Sequence, residues 1–210
     1  MKRRELIKGL GVFGAMAFLP NISAMGNHTN SQLHFVGLGQ GGTNAMVHIY
    51  GKGIAAKYSC ITGPYVSHLK PEMEHLFFET PQDYRINGIH YKVPIELTPE
   101  MKAIFKENHR YVILTGLGSS VGTGLISSLL TFLNTERKSY FAICSLPPKN
   151  EGRSKREYAE QKKAEIEGLI KVAFFDQQAI REEFGPLPVK ETFGIGNELF
   201  YKQFESIVNI

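Results

Sequence analysis

Only two cysteines, Cys60 and Cys144, occur among 210 residues, which excludes a disulfide scaffold. Past residue 25 no apolar run approaches the roughly 20 residues needed to cross a bilayer, which excludes a multi-span membrane protein. Excess charge is also scarce. The formal net charge is +4, of which Lys2, Arg3, Arg4 and Lys8 against Glu5 place +3 in residues 1–24 and leave about +1 elsewhere. Bulk charge therefore gives no support for a nucleic-acid partner. The 21 glycines are clustered, not periodic, so a collagen-like repeat is excluded. The seven histidines lack compact metal-ligand spacing and none lies near a cysteine, so no zinc site is indicated. No G-x-x-x-x-G-K-[ST] occurs, which removes the Walker-type phosphate loop. What is present is ordinary globular composition, 42% apolar and 21% charged, with enough Phe and Tyr for a single core.

Residues 1–24 read as a targeting segment: a basic start, an apolar stretch from Gly9 to Pro20, and small residues at Ser23-Ala24. Arg3-Arg4-Glu5-Leu6-Ile7-Lys8 resembles the twin-arginine export signal of bacteria, with cleavage expected after Ala24. The same residues also suit an uncleaved tethering helix. Export implies a periplasmic protein, and a tether implies membrane contact through this segment alone; a cytoplasmic location stays open as the alternative. Residues 25–32 form a polar spacer, and one domain is expected over 33–210.

Short apolar runs then alternate with helix-period segments. Strands are expected at Leu33 to Gly37, Lys57 to Ile61, Tyr111 to Thr115, Tyr140 to Cys144 and Ile170 to Phe175. Helices are expected after Gly42, with Ala45, Met46, Ile49 and Tyr50 on one face, over Pro99 to His109, and from Val121 onward. Ser154 to Glu157 reads as a capping box opening a charged helix with a solvated face. Gly185-Pro-Leu-Pro188 breaks the chain before a last helix with Leu199, Phe200, Phe204, Ile207 and Val208 inward. Asn87-Gly88 between Asp83–Ile86 and Ile89–Val93 is a hairpin signal, because both residues tolerate the positive φ of a primed turn. The alternation implies a three-layer, Rossmann-like α/β sandwich: a mostly parallel sheet with helices on both faces. Both cysteines end apolar strands and read as buried thiols, with a disulfide left open if the protein is exported.

Two glycine loops each follow a strand and open a helix: Gly37-Leu38-Gly39-Gln40-Gly41-Gly42-Thr43-Asn44, and Gly116-Leu117-Gly118-Ser119-Ser120-Val121-Gly122-Thr123-Gly124. Glycine lets backbone approach a phosphate, and a helix start supplies free N–H groups and a positive dipole end. The first loop fits the dinucleotide fingerprint G-x-G-x-x-G. That reading also wants a ribose-binding acid about 20 residues on, and no Asp or Glu lies between Thr43 and Pro71. A Rossmann NAD(P)-dependent oxidoreductase is thereby the weaker reading. Two such loops on one sheet can serve one extended anion, a nucleoside diphosphate or triphosphate. Each can also be only a tight turn.

The pair GLGQGGTNAM and GLGSSVGTG resembles the N-terminal nucleotide-binding domain of the tubulin/FtsZ superfamily. Pro148-Lys-Asn-Glu151-Gly152-Arg153 with Tyr158-Ala-Glu-Gln161 resembles the F-E-G-K-x-R…F-A-E-Q segment of FtsZ, and Thr192-Phe193-Gly194-Ile-Gly-Asn197-Glu198 its A-F-G-A-A-N-D segment. The likeness covers 33–61 and 100–210, in order. It implies that GTP or GDP is the bound cofactor. Gly39, Gln40, Gly41 and Asn44 would line the α-phosphate and base side. Gly116 and Gly118, Ser119, Ser120, Val121, Gly122, Thr123 and Gly124 would cradle the β- and γ-phosphates. Glu151 would accept from the ribose hydroxyls. Lys155 would take the place of an arginine, with Arg153 and Arg156 as substitutes. Phe193 would stack on guanine and Asn197 would bond its edge. Read from the residues alone, Phe193 also suits a core position, and Glu151 and Lys155 suit solvated loop charges.

The departures from the family pattern shape the functional expectation. Ile61-Thr62-Gly63 stands where FtsZ has Asn-Thr-Asp, which leaves Mg2+ in question. Ser119, Ser120 and Val121 replace Gly, Gly and Thr, and Phe175 stands for a base-contacting Asn. The chain ends at Ile210, before the loop that completes hydrolysis in a neighbouring subunit, so weak or silent GTPase activity and no ordinary FtsZ filament are expected. The alternative is a non-catalytic interaction protein with a decayed site, acting through a protein partner or self-association. A bulky residue at Gly122 is expected to abolish binding only if the second loop holds phosphate.

Overall fold

The computed structural model describes residues 32–63, 69–78, 84–86, 89–91, 95–169 and 171–208. The targeting segment and the Asn87-Gly88 turn lie outside the described residues. In chain order the elements are β1 (Leu33–Leu38), α1 (Gly39–Tyr50), β2 (Lys57–Thr62), β3 (Glu74–Phe77), β4 (Tyr84–Ile86), β5 (Ile89–Tyr91), α2 (Pro99–Ala103) and β6 (Arg110–Gly116). They continue with α3 (Ser120–Thr135), β7 (Ser139–Leu146), a 3-10 turn (Lys149–Glu151), α4 (Arg153–Ile166), β8 (Val172–Asp176), α5 (Gln178–Phe184) and α6 (Val189–Val208).

Six strands pair in the order β3-β2-β1-β6-β7-β8, and all five pairings are parallel. β4 and β5 pair separately and antiparallel, with Ile86 opposite Ile89. Strand side chains alternate between two cores, as the pleat requires. Val36, Ile113, Tyr140 and Ala142 pack with Leu125, Leu129 and Leu133 of α3 and Ala159 of α4. Phe35, Val112, Leu114, Phe141 and Ile143 pack with Ala45, Met46 and Ile49 of α1 and Phe200, Phe204 and Ile207 of α6. The expected three layers are therefore present, with α1 and α6 on one face and α3 and α4 on the other.

The strand order reverses between β1 and β6, and Leu38 pairs with Thr115, so these central strands end side by side. Parallel sheets of this kind bind ligands in the crevice beyond that switch point. The opposite rim is held by a polar chain. Ser59 Oγ donates to Glu74 Oε2 (2.9 Å) and lies 2.7 Å from His34 Nε2, while His34 Nδ1 meets His109 Nδ1 at 3.4 Å.

Several local expectations are corrected. α2 ends at Ala103 instead of reaching His109. Thr98 caps it by accepting from Met101 N (3.3 Å), and tighter i→i+3 turns then bury Ile104 and Phe105 before the chain enters β6. The capping box is unused: α4 starts at Arg153 after Gly152, so Ser154 already lies in its first turn and Arg153 Nε donates to Glu157 instead (2.6 Å). Val208 is exposed, not inward. Cys60 and Cys144 are free, buried, and in opposite cores, so no disulfide joins them. Burial pushes the Cys60 thiol up to about 11 and Cys144 higher still.

Candidate functional site

Two strand–turn–helix units meet at the switch point. α1 begins directly after β1, and α3 follows β6 by a short turn. Neither Leu38 nor Ser119, the residues preceding these helices, caps its helix with a side chain, and neither first turn holds an acidic residue. The leading N–H groups of both helices thus lack side-chain partners, the arrangement that favours an anion. The units are locked by close backbone contact. A Cβ on Gly42 would lie 2.0 Å from the Leu114 carbonyl oxygen of the other unit, and one on Gly122 3.1 Å from the Leu38 carbonyl oxygen. Gly116 differs, since a Cβ there would meet nothing nearer than Ser145 Oγ at 3.6 Å.

A cavity of about 270 Å³ opens between these turns, the ends of β7 and β8, and α6. That is close to the lower end of small-molecule sites, about 300 Å³. On its rim Lys155 Nζ is bonded to Glu151 Oε2. Gln177 Nε2 donates to Ser145 Oγ (2.9 Å), fixing the ends of β7 and β8 to each other. Behind the rim, Arg156 forks onto both carboxylate oxygens of Asp176 (2.6 Å each) and onto the Pro147 carbonyl (2.7 Å). Burial pushes the Asp176 carboxyl up, but the Arg156 guanidinium outweighs it and holds the group below the usual carboxylate range. The fork ties the first turns of α4, which carry Lys155, to β8.

No family model matches the sequence. The cell division protein FtsZ of Helicobacter pylori is 28% identical over 148 residues, covering 67% of this chain and 38% of that protein. An empty FtsZ dimer from M. jannaschii superposes with a TM-score of 0.64 at 18% identity, over 94% of this chain and 55% of that one. The GTPγS-bound protofilament of CetZ2 from Haloferax volcanii gives 0.59 at 18%, over 82% and 57%. The fold is that of the FtsZ/tubulin nucleotide-binding domain. The sequence and structural likenesses together support the tubulin/FtsZ superfamily, and the chain spans well under two thirds of each of these relatives.

Within this FtsZ-like fold, Gln40, Gly41, Asn44, Gly116, Ser119, Glu151, Lys155, Phe193 and Asn197 all line the one cavity. Phe193 is 52% exposed there, which settles its alternative reading against the core. The remaining expected residues stand behind the wall. Gly39, with φ 64°, backs onto Gly122, and Gly118, with φ 91°, onto Lys155. Thr123 Oγ1 accepts from Gly118 N (2.7 Å), and Gly124 packs on Ile95. Ser120 and Val121 open α3 without lining the cavity. Gly122 therefore serves the contact between turns, and enlarging it tests folding before binding. Arg153 and Arg156 do not substitute for Lys155: Arg153 is outside the cavity on Glu157, and Arg156 is committed to Asp176 and Glu160. Ser145, Pro147, Gln177, Gly196 and Phe200 also line the cavity and were not expected. The carboxyl-end rule for parallel strands was the available signal for Ser145 and Gln177, which sit at the ends of β7 and β8.

Proposed function

We propose that this cavity binds a guanine nucleotide, with its phosphates against Gly41, Gly116 and Ser119, its ribose near Glu151 and its base on Phe193. The observation that carries the reading is the convergence of two helix starts, both without side-chain caps and without acidic first turns, on one cavity that also holds an exposed aromatic ring and side-chain amides. Free N–H groups and dipole ends suit the phosphates, a flat ring suits a purine, and Asn197 can bond its edge. Lys155 would add a point charge for phosphate once released from Glu151.

Glu151 is the one carboxylate lining the cavity among the described residues, and it is bonded to Lys155. That donor set does not suit a protein-held Mg2+, which takes one or two free carboxylates beside the phosphates. Gly63, following Thr62, offers no side chain where the resembled motif has an acid. Slow hydrolysis is therefore part of the proposal. Equilibrium titration of the whole chain with GDP and GTP tests it. Dissociation constants below about 1 mM are expected, and absence of binding by both overturns the reading.

We also propose that residues 1–24 direct export or tethering. Among the described residues no helix is long and apolar enough to cross a membrane. Fractionation of expressing cells with N-terminal sequencing tests the segment: a mature start at Met25 in an exported fraction is expected, and an intact Met1 in the soluble cytoplasm contradicts it.

A further inference from the structure

The base end of the cavity contains amides where a carboxylate is close by but turned away. Asn197 lines the cavity from α6, and Gln177 lines it from the end of β8. Glu198 follows Asn197 and does not line the cavity. Successive helix residues point about 100° apart, so a helix presenting Asn197 to the cavity presents Glu198 to a neighbour. That neighbour is α1: Glu198 Oε2 lies 2.9 Å from His48 Nε2 and accepts from Lys52 Nζ at 2.8 Å. Burial raises the Glu198 carboxyl, and Lys52 with His48 more than offsets this, so the group stays ionised and occupied. Swinging it into the cavity would leave Lys52 and His48 without this shared carboxylate.

Resting on the nucleotide reading above, we infer that the site does not select guanine by its 2-amino group. Guanine offers two adjacent donors, N1–H and the 2-amino group, beside the O6 acceptor. A carboxylate accepts both donors at once, because it is acceptor-only with two oxygens. An amide brings one acceptor and one set of donors. It pairs with N1–H and O6 and leaves the 2-amino group to water. Hypoxanthine keeps N1–H and O6 and lacks only that amino group. A site rejects an analogue strongly only when its own buried polar groups lose a partner. Removing the 2-amino group takes no partner from Asn197. Gln177 donates through Nε2 to Ser145 Oγ, which fixes its side chain, and its Oε1 is a neutral amide acceptor, worth less to the 2-amino group than a carboxylate oxygen.

The test compares GDP with IDP by equilibrium titration on the whole chain, wild type and Asn197→Asp, with thermal melts to confirm folding. The wild type is expected to bind the two within about threefold. Asn197→Asp is expected to favour GDP by tenfold or more, since one added hydrogen bond to a charged acceptor is worth roughly 10- to 150-fold. Wild-type preference for GDP of tenfold or more overturns this inference while leaving the nucleotide site standing. Failure of both ligands to bind overturns the nucleotide reading and this inference with it. A folded Asn197→Asp that gains no GDP preference also overturns the inference, because Asn197 then does not read the base.

Discussion

At Gly116 an added methyl group meets ordinary contacts of 3.6 Å and 3.8 Å, whereas at Gly42 it meets a carbonyl oxygen at 2.0 Å and carbon at 2.8 Å. The two glycines therefore answer different questions. Gly116→Ala is expected to melt within about 2 °C of the wild type and to weaken GDP at least tenfold, because it fills backbone approach space at the cavity wall. Gly42→Ala must push two strand–turn units apart, an overpacking cost of about 3 kcal/mol or roughly 6–12 °C in Tm. Calorimetric melts with GDP titrations check both. Lys155→Ala is expected to weaken GDP binding and to flatten its salt dependence, read by titration at two ionic strengths, because exposed charge pairs are screened by salt. At this scale the sequence was partly legible. The resemblance to the tubulin/FtsZ motifs marked Gln40, Gly41, Asn44, Gly116, Ser119, Glu151, Lys155, Phe193 and Asn197, which line one cavity. Gly122, Thr123 and Gly124 belong to the same motif by pattern, yet serve packing, because a string of letters does not say which glycine faces a ligand and which faces another strand. Phe193 could be told from a core residue only once α6 was placed against the cavity.

Between elements, polar ties set the frame. Burial, with Lys57 and His109 adding to it, lowers the His34 imidazole to about 3. The unfolded chain takes up that proton near 6.5, so between pH 6.5 and 3 it holds more protons than the native state. Stability is then present above pH 6.5 and lost as pH falls through this window, by on the order of 3–5 kcal/mol. His34→Gln is expected to flatten that loss in denaturant melts taken from pH 7 to pH 4; an unchanged slope contradicts the assignment. At the ligand rim, Arg156→Ala removes the fork between α4 and β8. A loss on the order of 2 kcal/mol and weaker GDP binding are expected, read by urea melts and titration, while Arg156→Lys restores charge without the fork. The sequence revealed β1, α1, β2, β6, α3, β7, β8 and α6 through their apolar periodicity and α4 as a charged helix, and the Asn87-Gly88 signal marked the pairing of β4 with β5. β3 escaped because Glu74-His-Leu-Phe77 is an edge strand with three exposed positions and no clean alternation. α5 escaped because its seven residues bury only Ile180. The capping box failed because the helix begins two residues earlier than a Ser154 cap requires, on the glycine turn.

For the molecule as a whole, strand order decides where chemistry can happen. Parallel pairing throughout, with reversal between β1 and β6, brings the starts of α1 and α3 to one crevice. The alternation of strands and helices already implied this sandwich. The strand order and the edge position of β3 were not in the sequence, since they depend on which strand edges find partners after collapse. Ligand binding to such a crevice acts on the whole fold: GDP at a hundred times its dissociation constant is expected to add about 2.7 kcal/mol of stability. The most direct measurement is GDP titration by isothermal calorimetry on wild type and Gly116→Ala side by side. Submillimolar one-to-one binding by the wild type, weakened at least tenfold in a variant with unchanged Tm, is the predicted result. No heat of binding, or equal affinity in both proteins, would contradict the convergence of the two turns on a single phosphate ligand.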